Sequence, residues 1–245
     1  PIYLYDEVGR SSLSAMLRSL IPTVAPVQDV VSPAIDNFRR LTPDEDQWTK
    51  VVVELVSDLR DPIDIDRESQ GQGPVGDDEP DKPRLFPEAE AVIWRGCLNV
   101  VRRFLETTKK DLKDPMISSL LYSVILPTVA HADESVRSLA VRVLGLYCLL
   151  GRTAAREYLF LFLKVLEHDT EEIKVVALQV FLDVILSHGT ANLGITDALT
   201  LEMMARSEWS DDDAQERALV SIANCLNSAE LRSVAAQGIA KLFFV

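Results

Sequence analysis

Little in this chain can build a strand, a disulfide framework or a metal site. Runs of alternating apolar and polar residues bounded by turn signals are nearly absent, which excludes a sandwich or barrel. Aromatic residues make up only 7% and glycines number ten in 245 residues, against 47% hydrophobic overall. That balance suits packed helices around a sizeable core. The three cysteines, Cys97, Cys148 and Cys225, lie far apart in apolar helical patterns and form no C-x-x-C, so the chain reads as a reduced, intracellular protein. His131, His168 and His188 never fall within four residues of another His or Cys; no local metal-ligand pair exists, and no cofactor is expected. No signal peptide is visible. The longest uncharged run, Pro115 to Ala132, carries Pro127 and several polar residues and reads as a buried helix, so no membrane partner is expected.

Catalytic patterns fail on their context. Gly71-Gln72-Gly73-Pro74-Val75-Gly76 spells G-x-G-x-x-G, but no strand precedes it and no helix opens at its end. Carboxylates follow it where a pyrophosphate would need amides and positive potential. The many serines include no strained G-x-S-x-G turn. Asp211-Asp212-Asp213 opens a helix and reads as solvated charge at the positive end of the dipole. The chain is therefore read as no enzyme.

What the chain does contain is a repeat. His131 to Ala140 lies over His168 to Ala177 at a shift of 37 residues. Val136, Leu139, Ala140, Val143, Leu144 and Tyr147 then match Ile173, Val176, Ala177, Val180, Phe181 and Val184, the i, i+3, i+4, i+7 stripe of a helix buried on one face. A third copy, a further 58 residues on, places Leu231, Val234, Ala235, Ile239 and Leu242 on the same stripe. Asp133, Thr170 or Ser228 precedes each stripe by three residues and offers a side-chain oxygen to cap the first turn. Ala140 and Ala177 mark the closest approach of paired helices. The stretches 116–130, 153–167 and 213–226 supply the first helix of each pair, leaving 191–210 as an insertion. The unit is helix, short turn, helix, and the expected fold is all-α, a HEAT-repeat α-solenoid of antiparallel helix pairs. Pro1 is no initiator and Leu242 to Val245 ends inside an apolar stripe, so the chain reads as an excerpt of a longer array.

Three regions are expected: a helical segment of the solenoid at 1–60, an acidic Pro/Gly-rich linker at 61–87, and HEAT repeats at 88–245. In the first, Ser12 to Ile21, Val27 to Leu41 and Asp44 to Arg60 read as helices, with Thr42-Pro43-Asp44-Glu45 putting proline in the first turn of the last. The linker holds five of the twelve prolines, and from Asp61 to Glu90 ten carboxylates face three basic residues. More than half of the net charge of −13 thus sits in one segment, so global acidity says little about the folded surface.

Two sets of basic residues stand out on the helical remainder. Arg95, Arg102, Arg103, Lys109, Lys110 and Lys113 cluster after Trp94, and Arg95, Arg102 and Lys109 recur every seven residues, as if from one side of a helix whose core face is Trp94, Leu98, Val101 and Leu105. This stripe is either a solvated face or a site for DNA or another acidic partner. Asp133, Arg137, Lys174 and Arg232 occupy fixed repeat positions and read as a structural ladder in which the basic residue bridges to the neighbouring repeat's turn.

Asp6-Glu7-Val8-Gly9-Arg10, the run Val53 to Pro62, Ser135-Val136-Arg137 through Leu144 to Leu150, and Val184 to Gly189 together resemble the CAP-G HEAT subunit of condensin, in the order that family has them. The resemblance implies the C-terminal half of a non-catalytic subunit of the nucleus and mitotic chromosomes, with the cytoplasm as its location outside mitosis. It implies that this half grips the kleisin subunit, holds double-stranded DNA jointly with it, and meets the SMC ATPases only indirectly. Two alternatives share every periodicity above. A HEAT scaffold or nuclear transport receptor would bind a basic protein partner instead. A base glycosylase on a HEAT-like scaffold would need an aromatic or acid in a basic groove, for which only Trp48, Trp94 and Trp209 are on offer.

Overall fold

The computed structural model describes residues 6–71, 86–189 and 225–242. All regular elements among them are helices, and the chain divides into two compact units, Pro1–Thr128 and Val129–Val245. In the first unit α1 (Glu7–Val24), α2 (Gln28–Leu41), α3 (Glu45–Gly71) and α4 (Pro87–Thr107) pack together. They are followed by α5 (Pro115–Leu120), a π-helical turn (Leu121–Ile125) and α6 (Leu126–Val129), the expected helix over 116–130. Polar caps set the starts. Asp6 accepts from the Val8 amide at 3.1 Å, and Asp44 from the Gln47 amide at 2.7 Å. Asp44 is thus the cap of α3, and Pro43 stands before it rather than in the first turn.

The linker expectation meets a helix in its first part. α3 runs on to Gly71 through Pro62. Ile63 is buried there, and Arg60 ties the turn down by pairing with Asp64 at 2.9 Å and donating to the Ser123 carbonyl at 3.0 Å. Residues 72–85, with most of the G-x-G-x-x-G run, lie outside the described residues. The core of the unit is built on Trp48, Trp94, Phe104, Ile21, Ile35, Leu55 and Leu98, all at most 2% exposed. Two of the three tryptophans weighed as a base-stacking set are therefore core residues; Trp209 lies outside the described residues. The α1–α2 turn is held by Asn99, whose Nδ2 donates to the Ala25 carbonyl at 3.0 Å. Gly96 permits that approach, since a Cβ there would sit 3.2 Å from the Cβ of Ala25.

The second unit contains α7 (Glu134–Leu150), α8 (Arg152–His168), α9 (Glu171–His188) and α10 (Arg232–Leu242). α9 packs against α7, α8 and α10. The repeat register reads through to packing: Ala140, Ala177 and Ala235 are each fully buried, as are Val136, Ile173, Val143, Leu144 and Val184. Leu139 and Val180, at the margin of the stripe, are half-buried. Contact between successive second helices leaves little room for side chains. A Cβ on Gly145 of α7 would lie 2.4 Å from Val180 Cγ1, and one on Gly238 of α10 would lie 2.1 Å from Leu182 Cδ1. α9 ends at Gly189, whose φ of 79° only glycine adopts without strain. The insertion 191–210, Asp211 to Asp213, and the third first-helix apart from Cys225 and Leu226 lie outside the described residues.

Candidate functional site

The six basic residues after Trp94 do not form one helical stripe. α4 stops at Thr107, whose hydroxyl donates back to the Arg103 and Phe104 carbonyls at 2.9 and 3.2 Å, and Thr108 turns extended. Threonine side chains that bond the local backbone compete with helix continuation, so the seven-residue recurrence is cut before its third member. Arg95, Arg102 and Arg103 lie on α4, whereas Lys109, Lys110 and Lys113 lie in the connection to Asp114, the cap of α5. The core face is as expected: Trp94, Leu98, Val101 and Leu105 are all buried.

Much of that positive charge is consumed inside the unit. Arg103 grips Asp36 of α2 with Nε and Nη2, both at 2.7 Å, and reaches Glu106 at 2.8 Å with Nη1. Those carboxylate hydrogen bonds push the Arg103 pKa further up, fixing the charge as a bidentate strut between α2 and α4. Arg102 Nε lies 3.5 Å from Glu106 as well. Lys110 sits between Asp114 at 2.5 Å and Asp46 at 2.6 Å, which raises its pKa. In return the Lys110 ammonium holds the Asp114 carboxyl below the usual range. Beside it Glu45 accepts from the Lys109 amide at 3.2 Å and pairs with Arg39 at 3.0 Å. The cluster is a clasp joining the α4–α5 connection to the first turn of α3. Lys109 and Lys113 are its exposed members, and neither ammonium joins an ion pair among the described residues.

The expected ladder in the second unit exists in one place. Arg137 bridges to the next repeat's turn through two bonds to Asp169, at 2.9 and 3.2 Å, and also donates to the His131 and Ala132 carbonyls at 3.0 and 2.9 Å. Burial alone would raise the Asp169 pKa, but the Arg137 bonds, the Thr170 amide and the charges of Arg137 and Lys174 hold it below the usual range. Lys174, one repeat on, pairs at 3.0 Å with Glu171 of its own helix instead. The reason is in the sequence: the position equivalent to Asp169 is Asn227, so no acid stands at that place in the next turn. Among the described residues Arg232 keeps the backward bond, to the Leu226 carbonyl at 2.9 Å, the counterpart of Arg137 to His131.

A second ladder was not foreseen. Thr170 does not cap α9 with its side chain; its hydroxyl donates to Glu134, the first residue of α7. One repeat on, the Ser228 hydroxyl lies 3.4 Å from Glu171, the first residue of α9. Each cap-position hydroxyl thus reaches the leading glutamate of the preceding repeat. Asp133 is a true cap, accepting from the Val136 amide at 3.0 Å. The signal was legible as Glu134 and Glu171 sharing a repeat position, one place after a cap.

The remaining polar candidates are local. His131 Nδ1 accepts from the Asp133 amide at 3.0 Å, and His188 Nε2 donates to the Cys148 carbonyl at 2.9 Å. Burial pushes the Cys97 thiol up to about 12 and raises Cys148 and Cys225, so all three stay protonated and poorly nucleophilic. Among the described residues no His, Cys, Asp and Glu group could hold a metal ion, and no helix is long and apolar enough to cross a membrane.

Geometry of this kind fixes helix positions. Residues 96–245 match the model of Cnd3, nuclear condensing complex subunits, C-terminal domain. The chain belongs to the Cnd3 family of condensin subunits. It is similar to condensin complex subunit 3 of Schizosaccharomyces pombe, at 22% identity over 99% of this chain and 29% of that protein. It is similar to the subunit of the same name from Homo sapiens at 24% identity, over 98% of this chain and 30% of that one. The chain therefore spans under a third of the length of these curated relatives. A crystal structure of the S. pombe condensin Cnd3–Cnd2 subcomplex matches 98% of this chain and 28% of the solved one, with a TM-score of 0.67 and 23% identity. The fold is accordingly all-α, the HEAT-repeat solenoid of helix pairs that the periodicity indicated. The relatives carry the subunit 3 name, a different label from the CAP-G one that the residue runs suggested.

Proposed function

We propose that this chain is a non-catalytic segment of a condensin HEAT subunit that binds the kleisin subunit and contributes, jointly with it, to holding double-stranded DNA during mitotic chromosome condensation. The observation that carries the reading is membership of the Cnd3 family over residues 96–245, together with a fold match to a Cnd3 chain solved in complex with Cnd2. The site chemistry supports a scaffold: buried thiols, self-paired cations and inter-repeat ladders fix helix positions. The narrower CAP-G label rests on the residue runs alone, and the reading adopted is the condensin subunit 3 family. Placement in the nucleus and on mitotic chromosomes follows from that reading, and contact with the SMC ATPases is indirect.

DNA binding by this segment alone should be weak. Arg103 and Lys110 are already paired, which leaves Lys109 and Lys113 as the exposed cations of the cluster. Mixing the chain with the Cnd2-type subunit of the same organism tests the reading. Co-elution as a defined complex, with duplex affinity that appears only in the complex, is expected. Failure to form that complex, or tight salt-resistant duplex binding by the chain alone, would contradict it.

A further inference from the structure

Pro127 stands inside the helical run 115–129 and has no N–H to give. The carbonyl that an amide at 127 would serve is that of Ser123, four residues back, and the proline ring crowds it. Neighbouring donors do not make up the loss. The Leu126 amide reaches back to the Leu121 carbonyl, which makes the π-helical turn, and the Thr128 hydroxyl bonds the Val124 and Ile125 carbonyls at 2.7 and 2.9 Å. The Ser123 carbonyl accepts instead from Arg60 Nη1 of α3, at 3.0 Å and 63 residues away in sequence. α3 has a matching interruption. Pro62 lies inside it and leaves the Asp58 carbonyl without its amide. Arg60 spans that point too, since its Nε donates to Asp64 at 2.9 Å. One guanidinium, its side chain 25% exposed, therefore braces Pro62 on its own helix and stands in for the missing amide of Pro127 on the other.

We infer that Arg60 is a conformational latch that couples the last turns of α3 to the π-helical turn, so that the two hold or open together. With Arg60 withdrawn, the Ser123 carbonyl has no amide four residues on, and it is flanked by buried Leu121, Val124 and Ile125. The turn then opens to water beside Tyr122, which is 62% exposed, or kinks at Pro127. On the α3 side Asp64 loses its cation, and the turns after Pro62 keep buried Ile63 but gain nothing from Ile65, which is 67% exposed. A coupling free energy is reciprocal, so loosening the π-helical turn weakens α3 beyond Pro62 by the same amount.

The test is a double-variant cycle on the whole chain. Arg60→Met keeps an apolar stem and removes the guanidinium, while Pro127→Ala, at an exposed position, returns the amide to the helix. Arg60→Met should lower the melting temperature by about 3–12 °C, through loss of a charged hydrogen bond from a carbonyl left unpaired. In the Pro127→Ala background the same change should lower it by under about 2 °C, the share of the i,i+4 pair with Asp64. Hydrogen exchange gives a second reading. Arg60→Met should speed exchange across residues 63–71 and at Leu126 together, and adding Pro127→Ala should restore protection at Leu126. If Arg60→Met does not fold alone, Pro127→Ala should rescue it. An equal loss in both backgrounds, faster exchange confined to α3, or a double variant that stays unfolded would overturn the latch.

Discussion

The turn before α7 and the turn before α9 are one turn repeated, yet the basic residue that follows each has a different task. Arg137 reaches forward to Asp169 and backward to two carbonyls, and its guanidinium is mostly shielded, at 18% side-chain exposure. Lys174, among the described residues, reaches Glu171, three residues away in its own helix. The difference is made by the neighbour: Asp169 stands where the next repeat has Asn227. A fixed repeat position thus secures a basic residue but not its partner. The first unit teaches the same lesson, where Arg103 is locked to Asp36 while Lys109 and Lys113, in the same cluster, face solvent.

The largest expected effect tests the register on which the comparison depends. Ala177→Leu adds a branched side chain at a fully buried position and should destabilise by about 1–3 kcal/mol, because a close-packed core must shift to admit it. Gly145→Leu, against Val180, should cost at least as much. Thermal melts that match the parent would break the register.

Next comes the comparison itself. Arg137→Ala removes a bidentate pair and leaves Asp169, at 14% exposure, without its cation; hydrogen bonds to charged groups suggest about 1.5–3 kcal/mol. Lys174→Ala should cost only a few tenths, on the order of 0.2–0.5 kcal/mol for a helical pair of this spacing. Equal losses in urea unfolding would mean that the two turns are energetically alike. Asn227→Asp with Lys174→Arg should recover part of an Arg137-type bridge.

Acid titration sharpens the point. Asp169 and Asp114 are held below the usual carboxylate range in the folded chain. Their contribution is therefore present above the unfolded value near pH ~3.9 and is lost as pH falls through the lowered folded value. Asp169→Asn should flatten the acid limb of a stability-versus-pH curve. The smallest stability effect belongs to Lys109→Glu with Lys113→Glu, within about 0.5 kcal/mol for exposed positions. The same pair should lower the duplex affinity of the complex and its salt slope, as Arg103→Glu cannot without also breaking the bond to Asp36.

The helices and their buried faces were legible because an apolar period is written directly in residue type. Val136, Ala140, Ile173 and Ala177 needed only spacing to be placed. Ends and partners were less so. The heptad of Arg95, Arg102 and Lys109 ignored Thr107, which bonds its own backbone and stops α4. Thr170 has the chemistry of a cap but found Glu134 across the repeat, a contact set by stacking and invisible in one repeat read alone. α3 passed the first part of the acidic segment because Ile63 could be buried and Arg60 paired, both tertiary facts. The basic cluster looked like a surface because charge was counted along the chain, while Asp36 and Asp46 come from helices far earlier in it.

The proposed function has this chain hold the Cnd2-type subunit through apolar contacts rather than through net charge. The most direct measurement is the dissociation constant for the Cnd2-type subunit at physiological and at raised salt. The account predicts that binding persists with a shallow salt dependence, since an acidic chain with self-paired cations has few counterions to release. Absence of binding, or affinity that collapses with salt as steeply as a polyanion contact does, would contradict it.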